Sequence, residues 1–254
     1  MGTPQVAAAA LRRLVAAGHE VVVVVTRPDT RRGRGPLVGP SPVKEAAVAL
    51  GLPVAHRAAG IVGSGAELGV VVAYGRMITP DVLAQVPMVN VHFSLLPRWR
   101  GAAPVERAIL AGDDRTGVCL MQLEAGLDTG PVLARREVVV GPEETADELR
   151  RRLGGLGEEL LVETLADGLP APVPQAGAPT YAEKLSAGDR RLDFGQPARA
   201  CHRVVRVGRA WTTWRGKRLL VHRARLAPEG LGLSPGQIQG NVVGTREGAL
   251  ELTV

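Results

Sequence analysis

A set of short, unbroken β-branched runs separated by alanine- and leucine-rich stretches limits the fold of this chain more than anything else in its sequence. Residues 21–25 are five valines in succession, and residues 69–73 and 88–92 are nearly as apolar. A strand with one wet face alternates apolar and polar residues. An unbroken apolar run instead belongs to a parallel strand buried on both faces. Residues 52–55 are a shorter, fourth candidate. Helical patterns lie between these runs. Residues 4–17 carry Pro near the first turn and Gly18 past the end, and Ser41-Pro42 starts a second helix that stops at Gly51. Thr79-Pro80-Asp81 opens a short third helix through Val86, with Thr79 as the N-cap. The order helix, strand, helix, strand, strand, helix, strand predicts a doubly wound α/β domain.

Residues 104–110 read as a helix, residues 117–123 as a strand with residues 132–140 its antiparallel companion, and residues 144–167 as a long amphipathic helix stopped by Gly168. Residues 170–179 repeat Pro, Ala and Gly without a charge, which is the composition of a spacer. Trp214 to Val221 reads as two strands around Arg215-Gly216, and residues 242–254 as short strands with glycine turns, a pattern that suggests a small β-barrel. The expected organisation is a first domain over residues 1–169, a linker over 170–180 and a second domain over 181–254.

With 254 residues, 45% of them hydrophobic and 22% charged, the chain has enough apolar material for one large or two modest domains. The two cysteines, Cys119 and Cys201, suggest neither a disulfide framework nor a metal site, and a reducing cytoplasm suits them. No apolar run approaches the ~18 residues of a membrane span, and the first residues lack the pattern of an export signal. A net charge of +6 favours a polyanionic partner. The basic residues gather in 27–34, 98–107 and 190–225. His19, His56, His202 and His222 show no ligand spacing, so no metal is expected. A phosphate-binding loop of the Gly-x-x-x-x-Gly-Lys type does not occur, which argues against ATP-driven chemistry.

The chemistry concentrates in Asn90-Val91-His92-Phe93-Ser94-Leu95-Leu96-Pro97-Arg98-Trp99-Arg100-Gly101 and, downstream, in Leu127-Asp128-Thr129-Gly130. Strand periodicity puts Asn90 and His92 on one face and Val91 and Phe93 in packing. An amide beside an imidazole suits acyl or formyl transfer to an amine, where one group polarises a carbonyl and the other handles charge and proton. Asp-Thr-Gly is also an aspartic-protease signature, but that chemistry needs a second carboxylate and a different fold. Trp99, between two arginines, reads equally as a buried anchor or as a stacking surface.

These motifs resemble those of the methionyl-tRNA formyltransferase family. The resemblance rests on Gly2-Thr3-Pro4, Arg27-Pro28-Asp29, Gly33-Arg34-Gly35, Ser41-Pro42-Val43-Lys44, Val72-Ala73-Tyr74-Gly75, residues 90–104, Gly126-Leu127-Asp128-Thr129-Gly130 and Thr180-Tyr181-Ala182-Glu183-Lys184-Leu185. It implies a Rossmann-like formyltransferase domain followed by an OB-like barrel, in a cytoplasmic monomer without metal. The implied reaction moves the formyl group of 10-formyltetrahydrofolate to the α-amine of initiator Met-tRNA. The resemblance puts the catalytic trio on Asn90, His92 and Asp128, the folate-contacting loop on Ser94, Leu95, Leu96 and Pro97, and a tRNA contact on Arg34. It also sets Gly2-Thr3-Pro4 at the turn that follows a first strand, and leaves a short, glycine-bearing crossover between Arg57 and Gly69.

The attacking amine has a reference pKa near ~7.7 to 8.0, so a useful fraction is neutral at pH 7 and the harder task is the tetrahedral oxyanion. Asn90 and His92 are the expected donors to it. Asp128 is expected to favour protonated His92 or to hold a water that moves the amine proton. Two alternatives stand beside this reading: a formyltransferase for another amine, such as a glycinamide ribonucleotide or an amino sugar, and a truncated, catalytically silent tRNA-binding protein.

Overall fold

The computed structural model describes residues 1–31, 38–228 and 230–254. The chain runs through α1 (Gln5–Ala16), β1 (Val24–Val25), β2 (Thr30–Arg31), β3 (Val38–Gly39), α2 (Pro42–Ala49), β4 (Val54–Ala55), β5 (Gly69–Val72), α3 (Pro80–Leu83), β6 (Met88–His92) and β7 (Arg100–Gly101). It continues through α4 (Pro104–Ala111), β8 (Arg115–Gln122), β9 (Val132–Val139), α5 (Ala146–Ala166), β10 (Tyr181–Ala182) and α6 (Ala198–Arg206). Six short strands follow: β11 (Ala210–Trp214), β12 (Lys217–Val221), β13 (Arg223–Leu226), β14 (Ile238–Gln239), β15 (Val242–Gly244) and β16 (Ala249–Thr253). Contacts divide the chain into two compact units. One holds Met1–Ala102, Gly117–Glu137 and Arg151–Tyr181, and the other holds Ala103–Thr116, Val138–Arg150 and Ala182–Val254.

The first unit is α/β. β5 and β6 pair parallel, β6 and β8 antiparallel, in a sheet ordered β5-β6-β8-β9. β1 and β4 form a separate parallel pair, with Val24 opposite Val54. α1 and α2 sit where their signals put them, while α3 stops at Leu83 instead of running through Val86. Ser41 Oγ accepts the Lys44 N–H at 3.1 Å and meets the Thr26 hydroxyl at 2.7 Å, so the cap of α2 is tied to the end of β1. Thr79 occupies the cap position of α3, but its side chain makes no cap hydrogen bond. Val24, Val72, Val89, Val91, Leu120 and Leu161 form the core between sheet and helices.

The valine run departs from expectation. Only Val24 and Val25 of residues 21–25 are strand, and Val21, Val22 and Val23 are half-buried. The reason is hydrogen bonding on the side away from β4. There the Gly2 N–H donates to the Val25 carbonyl at 3.0 Å, and the Met1 carbonyl accepts the Val72 N–H at 2.9 Å. Met1 and Gly2 thereby link the two sheet pieces. Upstream of it a cavity of about 430 Å³ lies between residues 21–24 and 68–70, beneath Ala10 and Leu14 of α1. Without a neighbour on that edge, residues 21–23 have no ladder to join. The Met1 ammonium donates to the Val70 carbonyl at 2.6 Å, and burial pushes its pKa down to about 5.

In the second unit, β13-β16-β15-β14 form one sheet and β11-β12 a hairpin. Arg215 and Gly216 turn that hairpin with φ of 47° and 75°, the two positive values a two-residue loop between twisted strands favours. Cys201 and Val205 of α6 pack with Ala210, Val221, Val243 and Leu250. Among the described residues no pairing joins hairpin and sheet into a closed barrel. Trp211 lies under the guanidinium groups of Arg218 and Arg191, at 4.4 and 5.8 Å from the ring centre. The Ser186 hydroxyl and N–H, and then Arg107, donate to Asp189 and hold its carboxyl below the usual range.

Candidate active site

β6 delivers the first two site residues as periodicity requires: Val91 enters the main core, and Asn90 and His92 share the opposite face. Their surroundings differ. Asn90 is half-buried, and among the described residues its amide meets no hydrogen-bond partner. His92 is buried and held on both edges of its ring. Its Nε2 lies 2.9 Å from the Trp99 carbonyl, and its Nδ1 lies 3.6 Å from Asp128 Oδ2. A carbonyl only accepts, so Nε2 carries a proton and donates to Trp99. Nδ1 faces the Asp128 carboxylate.

Asp128 comes from the loop between β8 and β9, with a φ of 49°. Left-handed backbone is uncommon for a residue with a side chain, although Asp tolerates it better than most. Its Oδ2 also accepts the Gly101 N–H at 2.7 Å. One carboxylate therefore joins the imidazole to the far end of the loop that follows β6. Gly130 completes this turn, where a Cβ would lie 2.0 Å from the Gln122 carbonyl oxygen.

The loop between His92 and Gly101 is tightly braced. Ser94 is fully buried and its hydroxyl donates to the Arg98 carbonyl at 2.6 Å. Leu96 is buried with Cys119 and Met121, while Leu95 and Pro97 stay half-buried. Of the four residues expected to contact folate, Ser94 and Leu96 thus turn into the protein, the hydroxyl onto the Arg98 carbonyl and the leucine onto Cys119 and Met121. Trp99 has a φ of 62°, rare for so bulky a side chain, and Arg98 stacks on its ring at 4.5 Å. Thr180 holds that conformation: its Oγ1 accepts the Trp99 N–H and its carbonyl accepts the Arg100 N–H, each at 2.9 Å.

The expected donor pair is therefore modified. With one His92 nitrogen spent on Trp99 and the other facing Asp128, only the Asn90 amide is unengaged. Arg34 lies outside the described residues. Among the described residues no group of His, Cys, Asp and Glu could hold a metal ion, and no helix is long and apolar enough to cross a membrane. Gln175 is a site residue that motif reasoning passed over, and Thr180 opens a motif that was given no site role. Gln175 is the one polar side chain other than glycine backbone in the apolar stretch 170–179, which is the signal that marks it.

Comparison with known proteins defines the class. The formyl transferase family model matches residues 1–165. A Roseobacter denitrificans protein named methionyl-tRNA formyltransferase is 47% identical over 275 residues, covering 100% of this chain and 88% of its own. A Dinoroseobacter shibae protein of the same name is 45% identical, covering 100% and 90%. Among solved structures, the N-formyltransferase of Helicobacter canadensis, in complex with folinic acid and dTDP-3-aminofucose, shares the fold. Its TM-score is 0.76 at 16% identity, covering 99% of this chain and 96% of that one. The chain belongs to the methionyl-tRNA formyltransferase family.

Proposed function

We propose that the chain moves the formyl group of 10-formyltetrahydrofolate to the α-amine of initiator Met-tRNA, with Asn90, His92 and Asp128 as its catalytic residues. The observation that carries this reading is the unengaged Asn90 amide beside a braced His92–Asp128 pair, in a chain 47% identical throughout to a methionyl-tRNA formyltransferase. The cosubstrate supplies an activated formyl carbon. Half-buried, apolar Leu95 and Pro97 suit the flat face of a folate ring.

The neutral amine attacks the formyl carbon and the carbonyl π electrons move to oxygen, where the Asn90 N–H donates to the developing charge. Such a donor is worth roughly 2.7 to 4 kcal/mol when it is pre-aimed. His92, once protonated, keeps one N–H on Trp99 and turns the other toward Asp128, so its charge rather than a direct hydrogen bond offsets the oxyanion. The Asp128 carboxylate receives the proton the amine sheds, directly or through one water. Collapse of the intermediate expels the folate nitrogen, which takes up a proton.

In the same reading residues 1–169 are the catalytic domain and residues 181–254 an OB-like tRNA-binding domain of a cytoplasmic monomer, joined by residues 170–180. Arg34 meets tRNA phosphate. Arg34→Ala is then expected to flatten the salt dependence of tRNA binding by about one unit, measured by fluorescence titration. Incubation with charged initiator tRNA and formyl-folate, omitting each in turn, tests the activity. Formyl-methionine dependent on both is expected; a chain that binds tRNA without product overturns the reading in favour of a silent binder.

A further inference from the structure

Gln175 reads in the sequence as part of a spacer, yet its side-chain amide makes four hydrogen bonds. Oε1 accepts from Arg100 Nε at 3.1 Å and from Arg100 Nη2 at 2.7 Å. Nε2 donates to the Asp128 carbonyl at 2.8 Å and to the Gly130 carbonyl at 2.7 Å. That is the full capacity of a primary amide, two lone pairs and two N–H groups. The orientation is also fixed chemically. A guanidinium only donates and a backbone carbonyl only accepts, so the flipped amide would lose every bond.

We propose that Gln175 is a positioning residue for formyl transfer, clamping the backbone carbonyls of Asp128 and Gly130 so that the Asp128 carboxylate stays aimed at His92. The inference rests on the catalytic reading of that pair given above. The clamp closes a ring. Arg100 is gripped by Gln175, the next residue, Gly101, donates to Asp128 Oδ2, and the carbonyls of Asp128 and Gly130 are held by Gln175 again. Asp128 sits in the left-handed region, where a residue with a side chain stays only if its surroundings hold it. Gln175 itself is anchored independently. Val173, two residues before it, exchanges both backbone hydrogen bonds with Val132 at 2.8 Å, and Thr180, five residues after it, is bonded to Trp99 and Arg100. Loss of the side chain therefore frees the Asp128 turn without freeing the segment. No other residue type reproduces the clamp: Asn is one methylene too short, and Glu sets a carboxylate oxygen against two carbonyls.

The test uses the full chain carrying Gln175→Ala and, to keep side-chain volume, Gln175→Met. Amide hydrogen exchange reads the geometry without need of activity. The Gly101 amide, which donates to Asp128, is expected to exchange at least about tenfold faster in both variants, with the Val132 and Val173 amides unchanged. In formylation, kcat is expected to fall about 10- to 100-fold, as a displaced catalytic group does, with KM for tRNA and for formyl-folate within about threefold. In an Asp128→Asn background, Gln175→Ala is expected to cost less than about twofold, because its effect runs through the carboxylate already removed. Unchanged Gly101 exchange overturns the clamp, and so does a full additional rate loss in the Asp128→Asn background. A wild-type chain that makes no formyl product counts against the catalytic reading instead, while exchange still decides what Gln175 holds.

Discussion

Two regions of the first unit differ sharply in how their backbone is held. At the carboxyl end of β6, the loop is over-determined: Ser94 is pinned by the Arg98 carbonyl within the loop, Trp99, Arg100 and Gly101 are each pinned by a side chain drawn from elsewhere in the fold, and one amide, Asn90, is left over. Between β1 and β5 the opposite holds. Val21, Val22 and Val23, part of a run built for burial, lie half-buried against a cavity of about 430 Å³, and Met1 and Gly2 bridge the strands on its two sides. Rigidity here is therefore a local property, set by how many backbone groups find partners, and the fold concentrates it where the chemistry is.

Removing the spare amide gives the largest effect. Asn90→Ala is expected to lower single-turnover formylation about 10²- to 10³-fold while shifting unfolding free energy by less than about 0.5 kcal/mol, since the side chain supports nothing in the protein. A variant that loses stability and keeps its rate would make Asn90 one more brace and erase the contrast. Enlarging one side chain in each region tests its packing. Gly117→Ala, whose new Cβ would meet the Arg136 carbonyl oxygen at 2.2 Å and Leu95 Cδ2 at 2.5 Å, is expected to destabilise the chain by about 1 to 3 kcal/mol in denaturant unfolding.

The cavity region gives an effect that depends on pH. The Met1 amine ionises near 8.0 when free and at about 5 when buried in the fold. Between those values the unfolded chain holds the extra proton, so this group makes stability rise with pH, by up to about 1.4 kcal/mol per unit. Below about 5 both states are protonated and above 8.0 both are neutral, so the slope vanishes at each end. Acetylating the amine is expected to remove that part of the pH dependence from 5 to 8; identical slopes would place the ammonium in water. Smallest is the gain from filling. Ala10→Leu, a larger helix former on α1 pointing at the cavity, is expected to raise stability by about 0.5 to 2 kcal/mol, the reverse of the sign at Gly117. A loss at both positions would mean the two regions are equally packed.

The pattern of runs, caps and glycines determined the helices and the face that Asn90 and His92 share, because those depend on period and on backbone geometry within a few residues. Ser41 and Pro42 start α2, Arg215-Gly216 turns its hairpin, and β6 spans residues 88–92 as its apolar run predicts. Tertiary structure decided the rest. Five consecutive valines specify a strand only where a neighbouring backbone offers a ladder, and residues 21–23 join none, so they are not strand. Short strands with glycine turns do not fix whether a sheet closes, which is why the second unit holds a sheet and a hairpin. That Nε2 of His92 donates to Trp99, and that a lone glutamine in a proline-rich spacer holds the Asp128 turn, follows from hydrogen bonds between residues 7, 45 and 47 positions apart. Local sequence carries no record of such bonds, because their energy exists only once the chain has brought the groups together.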